Sequence, residues 1–349
     1  MLQTTLAEIQ PIDRSAYDAC IARFDRVAKP VGSLGLMETL LAQISAITGS
    51  AELDLSKKCV LVFCADNGVT SQRVSQSGSE VTTAIAHMLA DRTSGVCTMA
   101  KCCGADVFPV DMGMVDTVEG LLPRKIAFGT NDISLGPAMS REAAIQAIEL
   151  GISLVKEKKE AGYRLIATGE TGIGNTTTAS AVAAVLLGES VETVSGRGAG
   201  LDDAGLARKR AAIERAILVN APDARDPIDV LSKLGGFDIA AMTGVFLGGA
   251  QYRMPVVMDG MISAVSALLA VRLCPTVCDS IIPSHLSAEP AARLICHALG
   301  KEPILRADLR LGEGTGAVAL FPLLDMAVAV YQDAATFADI SVDAYQRQT

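Results

Sequence analysis

The 349-residue sequence contains no tryptophan, only three histidines and few other aromatic residues. Phe, Trp and Tyr make up 4% of the chain, which is too little for the stacking platforms that bind single-stranded nucleic acid. The formal net charge is −9 and no local run of Lys and Arg offsets it, so the basic surface that nucleic-acid binding requires is missing. We therefore expect no nucleic-acid partner.

Long uninterrupted apolar segments are also missing from the sequence. The two longest, 239–250 and 261–271, are shorter than the ~18 residues that a membrane-spanning helix needs. The first twenty residues contain acidic side chains and lack the apolar core of a signal peptide. The sequence therefore predicts a cytoplasmic protein without a membrane partner.

Cysteine spacing that would indicate disulfides or a zinc site is absent as well. The nine cysteines form an odd number, and none of them is arranged as paired CxxC ligands. Several, including Cys59 and Cys64, lie in apolar runs where a free thiol packs as a small hydrophobic group. We expect no metal, no other cofactor and a reducing compartment.

Apolar residues and glycine, in contrast, are abundant. Half of the chain is hydrophobic, which excludes a disordered protein. At ~150 residues per domain, the length suggests two domains or one large unit with an appendage. The 31 glycines exceed the usual ~7% and predict tight turns and close approaches between backbone segments.

Apolar periodicity predicts helices that alternate with short strands. Residues 34–47 have helical spacing and end at Gly49, a second helix is capped by Ser140 and ends at Gly162, and a third is closed by Gly188. Short apolar runs predict buried strands at 59–65, 107–110, 163–168 and 254–258. This alternation is typical of a parallel sheet in an α/β protein.

The predicted architecture is a Rossmann-like parallel sheet flanked by helices, with a small helical domain formed from both chain ends. Residues 1–55 are the N-terminal part of the small domain and residues 317–349 are its C-terminal part. Residues 56–316 form the large α/β domain.

Four carboxylates stand near the carboxyl ends of the predicted strands: Asp66, Asp111, Glu170 and Asp259. Open parallel sheets bind their ligands outside these strand ends. Any one of these side chains could be a solvated turn residue, but together they predict a polar cleft.

The segment GETGIGNTT precedes a predicted helix and is a candidate anion site, because free N–H groups and the helix dipole attract phosphate. Gly169 and Gly174 have the spacing of a P-loop, but Asn175 replaces its lysine. Thr177 replaces the third glycine of a dinucleotide fingerprint. A monophosphate therefore fits better than a triphosphate or a dinucleotide, and a simple tight turn remains the alternative.

The segment RLGEGTGA places Glu313 between Gly312 and Gly314, so a substrate can approach the carboxylate without neighbouring side chains. A carboxylate in a tight, partly dry pocket gains proton affinity and suits general-base catalysis. Surface turns have the same pattern, so the motif alone is weak.

Two further polar segments are less specific. GRGAGLDDAGLARKR contains Lys209, which belongs either to a solvated basic face or to a phosphate site if the glycine loop folds back into the cleft. IPSHLSAEP contains Ser284 and His285, but the chain has no GxSxG elbow, so we exclude serine hydrolysis.

Taken in order, these segments resemble those of one enzyme family. RFDRVAKPVGSLG, ADNGV, VSQSGSEVT, GPAMS, GETGIGNTTTA, GGFDIAAMTGV, IPSHLSAE and RLGEGTGA are similar to segments of the nicotinate-nucleotide–dimethylbenzimidazole phosphoribosyltransferases. The resemblance covers nearly the whole chain. It implies transfer of ribose phosphate from nicotinate mononucleotide to an aromatic base, with release of nicotinate, in cobamide (vitamin B12) biosynthesis, and it implies a homodimer.

The resemblance also implies roles for individual residues. Glu313 matches the catalytic base that removes the azole proton, and Glu170 matches a second active-site acid. The implied substrate-binding positions are Ser77, Ile85, Gly172, Gly174, Asn175, Lys209, Asp259, Ser287 and Gly314. No metal is required, because no pyrophosphate leaves and nicotinate departs from a cationic ring nitrogen.

One position departs from the family pattern. The acceptor pocket of the family typically has a serine followed by a glutamine, whereas here Ser77 is followed eight positions later by Ile85. The more apolar pocket predicts a broadened or shifted acceptor, such as another benzimidazole, a purine or a phenol. Two alternatives stay open: one chain of a heterodimer with a paralogue that uses phenol, p-cresol or a purine as acceptor, and a non-catalytic nucleotide-binding module.

Overall fold

A computed structural model describes residues 1–345 of the protein. Its strands are β1 (Lys58–Ala65), β2 (Asp106–Gly113), β3 (Leu122–Pro123), β4 (Leu165–Thr171), β5 (Val256–Met258) and β6 (Ile281–Pro283). They form one six-stranded sheet in the order β3-β2-β1-β4-β5-β6, and every neighbouring pair is parallel. This is the strand order of a doubly wound, Rossmann-like sheet, so the predicted fold class is confirmed.

Helices cover both faces of the sheet. The helices before β4 are α1 (Leu2–Glu8), α2 (Arg14–Arg26), α3 (Leu36–Thr48), α4 (Ser79–Ala90), α5 (Gly95–Cys102) and α6 (Arg141–Glu160). Those after β4 are α7 (Asn175–Leu187), α8 (Val191–Val194), α9 (Asp203–Asn220), α10 (Pro227–Leu234), α11 (Phe237–Gln251), α12 (Met261–Leu273), α13 (Pro290–Ala298) and α14 (Thr315–Asp333).

The predicted helix ends agree with the capping geometry. The Ser140 side chain accepts a hydrogen bond from the Ala143 N–H at 3.1 Å and begins α6. Gly49 and Gly188 both adopt the left-handed conformation after α3 and α7, respectively. Left-handed C-caps favour glycine because a Cβ atom is disfavoured at positive φ.

Several predicted strand boundaries were wrong: β2 is Asp106–Gly113 rather than 107–110, and β4 begins at Leu165 rather than at residue 163. β5 begins at Val256 rather than at residue 254, and β4 extends to Thr171, so Gly169 and Glu170 lie in a strand and not in a glycine loop. A Cβ atom on Gly169 would overlap the carbonyl oxygen of Glu313. Glycine is therefore present at this position because another backbone segment packs directly on the strand.

The sheet reverses its winding between β1 and β4. These two strands pair in register, with Phe63 opposite Glu170 and Cys64 opposite Thr171. β2 and β3 extend the sheet on one side of β1, and β5 and β6 extend it on the other side of β4. The carboxyl ends of β1 and β4 therefore flank the crevice where such sheets bind ligands.

One face of the sheet is covered by α11 and α12, with α6 packed on α11 and α7 on α12, and these four helices supply nearly half of the larger buried apolar cluster. Two glycines let α6 and α11 approach closely, since a Cβ on Gly151 would overlap the Ala241 carbonyl and one on Gly244 would overlap the Ile148 carbonyl. Part of the glycine excess thus serves packing between helices.

α14 corrects the expectation about apolar segments. By length and composition alone, its 19 residues could cross a membrane, although Asp325 interrupts the apolar run. Half of the apolar window is buried, and α14 packs on β4, α3 and α5. Its Asp325 forms an ion pair of 2.8 Å with Lys58 on β1. A buried core helix of a globular domain accounts for these contacts.

The two chain ends meet on the α14 side of the sheet. The rings of Phe24 and Tyr331 lie 4.9 Å apart, and the Gln332 side chain donates to the Leu53 carbonyl at 2.7 Å. α1 instead packs on α6 and α11, and the Leu2 N–H donates to Glu149 at 2.8 Å. The domain boundaries at residues 55 and 316 stay predictions, and residues 346–349 of the C-terminal segment lie outside the described part.

Candidate active site

An inner cavity of ≈ 270 Å³ lies at the carboxyl ends of the central strands. Eight of the predicted site residues line it: Ser77, Ile85, Glu170, Gly172, Asn175, Asp259, Ser287 and Glu313. They come from segments scattered over more than two hundred positions, and the parallel strands bring these segments to one edge of the sheet.

A larger outer cavity of ≈ 740 Å³ adjoins the inner one. It is surrounded by the glycine loop 196–200 and by the segment that precedes α13. Glu289 and Arg310 line both cavities. The two cavities are therefore one cleft with a narrow interior and an open mouth.

Five residues expected at the site or in the polar cleft do not line the inner cavity: Asp66, Asp111, Gly174, Lys209 and Gly314. Gly174 and Gly314 are the N-caps of α7 and α14, with φ of 95° and 90°. Both glycines are required by these left-handed turns, so their first role is to set the direction of the two helices.

The loop before α7 has fewer free amides than a P-loop. The Ile173 N–H donates to Thr82 Oγ1 at 3.0 Å, and the Asn175 N–H donates to the Gly172 carbonyl at 3.0 Å. The Thr177 N–H donates to the Gly174 carbonyl at 2.9 Å. Since these donors are occupied, the loop alone is a weaker anion site than its sequence suggests.

Lys209 lies behind the wall of the cleft. Its ammonium group donates to Thr176 Oγ1 at 3.0 Å and to the Gly196 carbonyl at 3.1 Å. The side chain is fully buried, and this burial lowers the pKa of Lys209 to about 8, although nearby Glu289 opposes the shift. Lys209 therefore supports the glycine loop from beneath rather than extending into the cavity.

Glu313 projects into the inner cavity from an unusual backbone. Its φ is 59°, a left-handed value that is uncommon for a residue with a side chain. The Glu313 N–H donates to the Glu170 carbonyl at 3.1 Å. The carboxylate accepts a hydrogen bond of 3.2 Å from the Val96 N–H in the first turn of α5, which orients it.

Glu170 belongs to a buried network on the floor of the cavity. The Asn175 amide donates to Glu170 and, at 3.2 Å, to Asp238 in the first turn of α11. Burial and the nearby carboxylates, Asp238 and Asp259 first among them, raise the pKa of Glu170 well above its usual range. Both effects favour the protonated, neutral form of Glu170.

Asp238 is the other acid of this network and is fully buried. Burial raises its pKa to about 6, and the Ile239 N–H, which donates to it at 2.9 Å, opposes the shift. Two buried carboxyl groups that share one amide seldom ionise together, because each ion disfavours the other. The pKa is raised more strongly at Glu170 than at Asp238, so protonation of the pair is favoured at Glu170.

Asp259 fixes the loop that carries Glu313. Its two carboxylate oxygens accept hydrogen bonds from the Gly314 N–H at 3.2 Å and from the Ala317 N–H at 2.9 Å. Burial raises the pKa of Asp259, and His285 opposes this shift. His285 occupies the space above Gly316, where a Cβ atom would overlap the imidazole ring.

Ser77 and Ile85 form the side of the cavity next to α4. Ile85 is half-buried and packs against the apolar cluster on the α14 side of the sheet. The wall is apolar at the position where the family pattern has an amide.

The sequence analysis assigned no site role to four titratable residues of the cavity or its network: Asp238, His285, Glu289 and Arg310. The motifs GGFD and SHLSAE, which contain Asp238 and Glu289, supported only the family resemblance, and His285 was considered only beside Ser284 for serine hydrolysis. Arg310 begins the RLGEGTGA motif. Within residues 1–345, no three His, Cys, Asp or Glu side chains are grouped as metal ligands.

Comparisons with known proteins agree on one family. A phosphoribosyltransferase family profile matches residues 9–342. A protein of Acetivibrio thermocellus named nicotinate-nucleotide–dimethylbenzimidazole phosphoribosyltransferase is 45% identical over the full length of both chains. A protein of the same name from Clostridium acetobutylicum is 42% identical over 99% of both chains. The solved structure of CobT from Thermus thermophilus superposes with a TM-score of 0.89 at 35% identity, and the match covers 95% of this chain and 100% of CobT.

Proposed function

The chain belongs to the nicotinate-nucleotide–dimethylbenzimidazole phosphoribosyltransferase family, and from this premise we propose how its cleft transfers ribose phosphate. The protein is a pentosyltransferase of cobamide biosynthesis. It moves the phosphoribosyl group of nicotinate mononucleotide to 5,6-dimethylbenzimidazole or a related azole and releases nicotinate. The observation that carries the mechanism is the Glu313 carboxylate, which lines the inner cavity and is held by the Val96 N–H.

In the proposed reaction, one azole nitrogen attacks the anomeric carbon while the bond to the pyridinium nitrogen breaks. The electron pair of that bond neutralises the ring as nicotinate leaves. Glu313 accepts the proton of the second azole nitrogen, so the α-ribazole phosphate forms without a positive charge on its base. Since the leaving group is cationic, proton removal and stabilisation of an oxocarbenium-like ribose are the main tasks of the protein.

Glu170 has a different role in this proposal. As a neutral carboxyl group it can donate a hydrogen bond to the ribose or to a ring nitrogen. Its neutrality also limits the negative charge of a cleft that admits an anionic nucleotide. We place the nucleotide along Gly172, Asn175, Asp259 and Ser287, which line the cavity.

Gly174, Lys209 and Gly314 contribute from outside the inner cavity. The two glycines set the loops on either side of the nucleotide, and Lys209 supports the wall formed by loop 196–200. The positive charge of Lys209 favours phosphate at that wall through the loop rather than by direct contact.

The identity of the native acceptor base depends on the pocket around Ile85. An isoleucine beside Ser77 cannot hydrogen-bond a ring nitrogen, so we expect the enzyme to accept a wider set of flat bases. The test is mass spectrometry of the products formed from nicotinate mononucleotide with dimethylbenzimidazole, benzimidazole, adenine, phenol and p-cresol. A product only with dimethylbenzimidazole would refute the role given to Ile85.

The oligomeric state decides between the remaining possibilities. We propose a homodimer in the cytoplasm, and gel filtration with an activity assay of the isolated chain tests its assembly. A chain that is inactive alone but active with a paralogue would instead be one half of a heterodimer. A chain that binds nicotinate mononucleotide yet transfers nothing under either condition would be a non-catalytic module, and the proposed function would be wrong.

A further inference from the structure

The charges around the inner cavity are unbalanced. Four carboxyl side chains line it: Glu170, Asp259, Glu289 and Glu313. Among the residues that the structure describes, Arg310 is the one Lys or Arg side chain in its lining. His285 also lines it, but burial lowers the pKa of this imidazole and favours its neutral form. Among the lining side chains that the structure describes, Arg310 therefore supplies the one permanent positive charge for an anionic group of a ligand.

Arg310 is an exposed residue, and its guanidinium group has no hydrogen-bond or ion-pair partner within residues 1–345. Arg197 of the outer cavity differs, since it pairs with Asp203 at 2.5 Å and donates to the Leu201 carbonyl at 2.9 Å. Of these two arginines, Arg310 is therefore the one whose guanidinium group is available to bind a ligand. It stands three positions before Glu313, on the loop that carries the base.

We propose that Arg310 binds the carboxylate of the nicotinate ring and thereby selects nicotinate mononucleotide over nicotinamide mononucleotide. This inference rests on the proposed function and names the group that recognises its donor substrate. The planar guanidinium fork matches a carboxylate with two parallel hydrogen bonds.

The chemistry of the leaving group makes this contact stronger as the reaction proceeds. In the mononucleotide, the positive ring nitrogen offsets the carboxylate, so the ring is neutral overall. When the bond to the anomeric carbon breaks, its electron pair neutralises the nitrogen, and the released nicotinate carries a net negative charge. Arg310 therefore stabilises the departing group more than the bound substrate, which raises kcat as well as affinity.

With nicotinamide mononucleotide, both the binding of the substrate ring and the stabilisation of the departing ring differ. Its ring is positive before the bond breaks and neutral afterwards, and it has no carboxylate for the guanidinium to bind. Arg310 repels this ring in the ground state and gives no ionic stabilisation to its departure. We expect the wild-type enzyme to prefer the nicotinate form for this reason.

The test compares kcat/KM for the two mononucleotides, with dimethylbenzimidazole as acceptor, in wild type, R310Q, R310K and R197Q. R310Q should lower the preference for the nicotinate form by about 10- to 100-fold, the range expected for loss of a charge-assisted hydrogen-bonded pair. R310K should retain part of the preference because it keeps the charge without the planar fork. R197Q is the matched control and should affect both nucleotides by the same factor.

Equilibrium binding of nicotinate alone and of ribose 5-phosphate alone separates the carboxylate from the phosphate. R310Q should weaken nicotinate binding at least tenfold and leave ribose 5-phosphate within about threefold. An unchanged preference in R310Q, or a larger loss for ribose 5-phosphate, would overturn the proposal. If the wild type transfers no ribose phosphate, the proposed function fails, and the nicotinate-binding measurement still decides the role of Arg310.

Discussion

Glu170 and Glu313 face the same cavity, but their backbones are held in different ways. Glu170 lies in β4, opposite Phe63 of β1, so the regular sheet ladder fixes its position. Glu313 lies in an irregular loop with a left-handed φ of 59°, and contacts from Val96, Asp259 and Glu170 hold that loop.

The difference teaches how one cleft can hold two acids with separate roles. The strand position points Glu170 into a buried network with Asn175 and Asp238, where its neutral form is favoured. The loop position presents Glu313 at the cavity with glycine on either side. The strand acid therefore suits hydrogen-bond donation, and the loop acid suits proton removal.

Replacing the loop acid should have the largest effect. E313Q keeps the size of the side chain but removes the base, so kcat should fall by about 100- to 10,000-fold. Binding of nicotinate mononucleotide should stay within a few-fold. Steady-state kinetics and calorimetric binding measure the two quantities, and E160Q on the exposed face of α6 is the control. Near-normal turnover in E313Q would remove Glu313 from the mechanism.

A substitution at Gly316 should test whether contact with His285 holds the loop that carries Glu313. In G316A, the new methyl group would overlap the His285 ring, which is packed between the loop and the end of β6. We expect the free energy of unfolding to fall by about 1–3 kcal/mol, as for overpacking in a core, with a matching loss of activity.

The control for this substitution is G136A, because a Cβ atom there has nothing within 4 Å. It should change the free energy of unfolding by less than ~0.5 kcal/mol. Equal denaturation midpoints for G316A and G136A would mean that His285 does not limit the loop.

The buried network around Glu170 can be perturbed by a substitution at Asp238. Its pKa is raised in the folded protein from 3.8 to about 6, so ionisation of Asp238 opposes folding. The stability that its neutral form contributes is present below pH ~4 and is lost as pH rises through 6. Relative to D238N, the wild type should therefore lose roughly 3 kcal/mol between pH 4 and 7, at ~1.36 kcal/mol per pKa unit.

Urea titrations of wild type and D238N at several pH values measure this difference. The exposed acid Asp203, replaced in D203N, is the control. In D238N the loss of a neighbouring charge also favours ionisation of Glu170, so the pH optimum of turnover should move downward. A pH-independent stability difference together with an unchanged optimum would disprove the shared network.

We expect the smallest effect from a substitution of Asp259, which accepts hydrogen bonds from the loop that carries Glu313. D259N leaves one carbonyl oxygen for two amides, Gly314 and Ala317, so one buried N–H loses its acceptor. We expect a loss of about 1–2 kcal/mol in the free energy of unfolding and a roughly tenfold lower kcat, since a misplaced Glu313 abstracts the proton less well. Rescue of kcat by lowering temperature would support a positioning role.

D226N is the matched control for a capping aspartate. Asp226 caps α10 with a single carboxylate oxygen, which accepts from the Ile228 and Asp229 N–H groups, and an asparagine oxygen can do the same. Activity should be unchanged. A similar loss of kcat in D226N would show that general destabilisation explains D259N.

Much of the fold could be predicted because its signals are local. Ser140, Gly49 and Gly188 mark helix ends through capping geometry, and the apolar run 59–65 lies within β1. The errors have tertiary causes. Gly169 was read as a loop glycine, whereas it is a strand residue that makes room for the Glu313 carbonyl.

The sequence allowed us to predict most of the residues of the candidate site, but not how their side chains are hydrogen-bonded. Eight predicted residues line one cavity, because motifs at the ends of parallel strands converge at one edge of the sheet. Lys209 was expected as a possible phosphate partner, but its ammonium group is engaged with Thr176 and Gly196 behind the wall. No sequence pattern records which donors a folded loop leaves free.

The sequence by itself determined the alternation of helix and strand, the left-handed glycines and the presence of the family motifs, since these depend on neighbours along the chain. Tertiary structure decided which acid has the most strongly raised pKa, which arginine in the cleft has no partner, and which apolar helix packs in the core. Those properties depend on desolvation and on contacts such as that between Asn175 and Asp238, 63 positions apart. Such contacts exist only once the sheet order has brought the strand ends together.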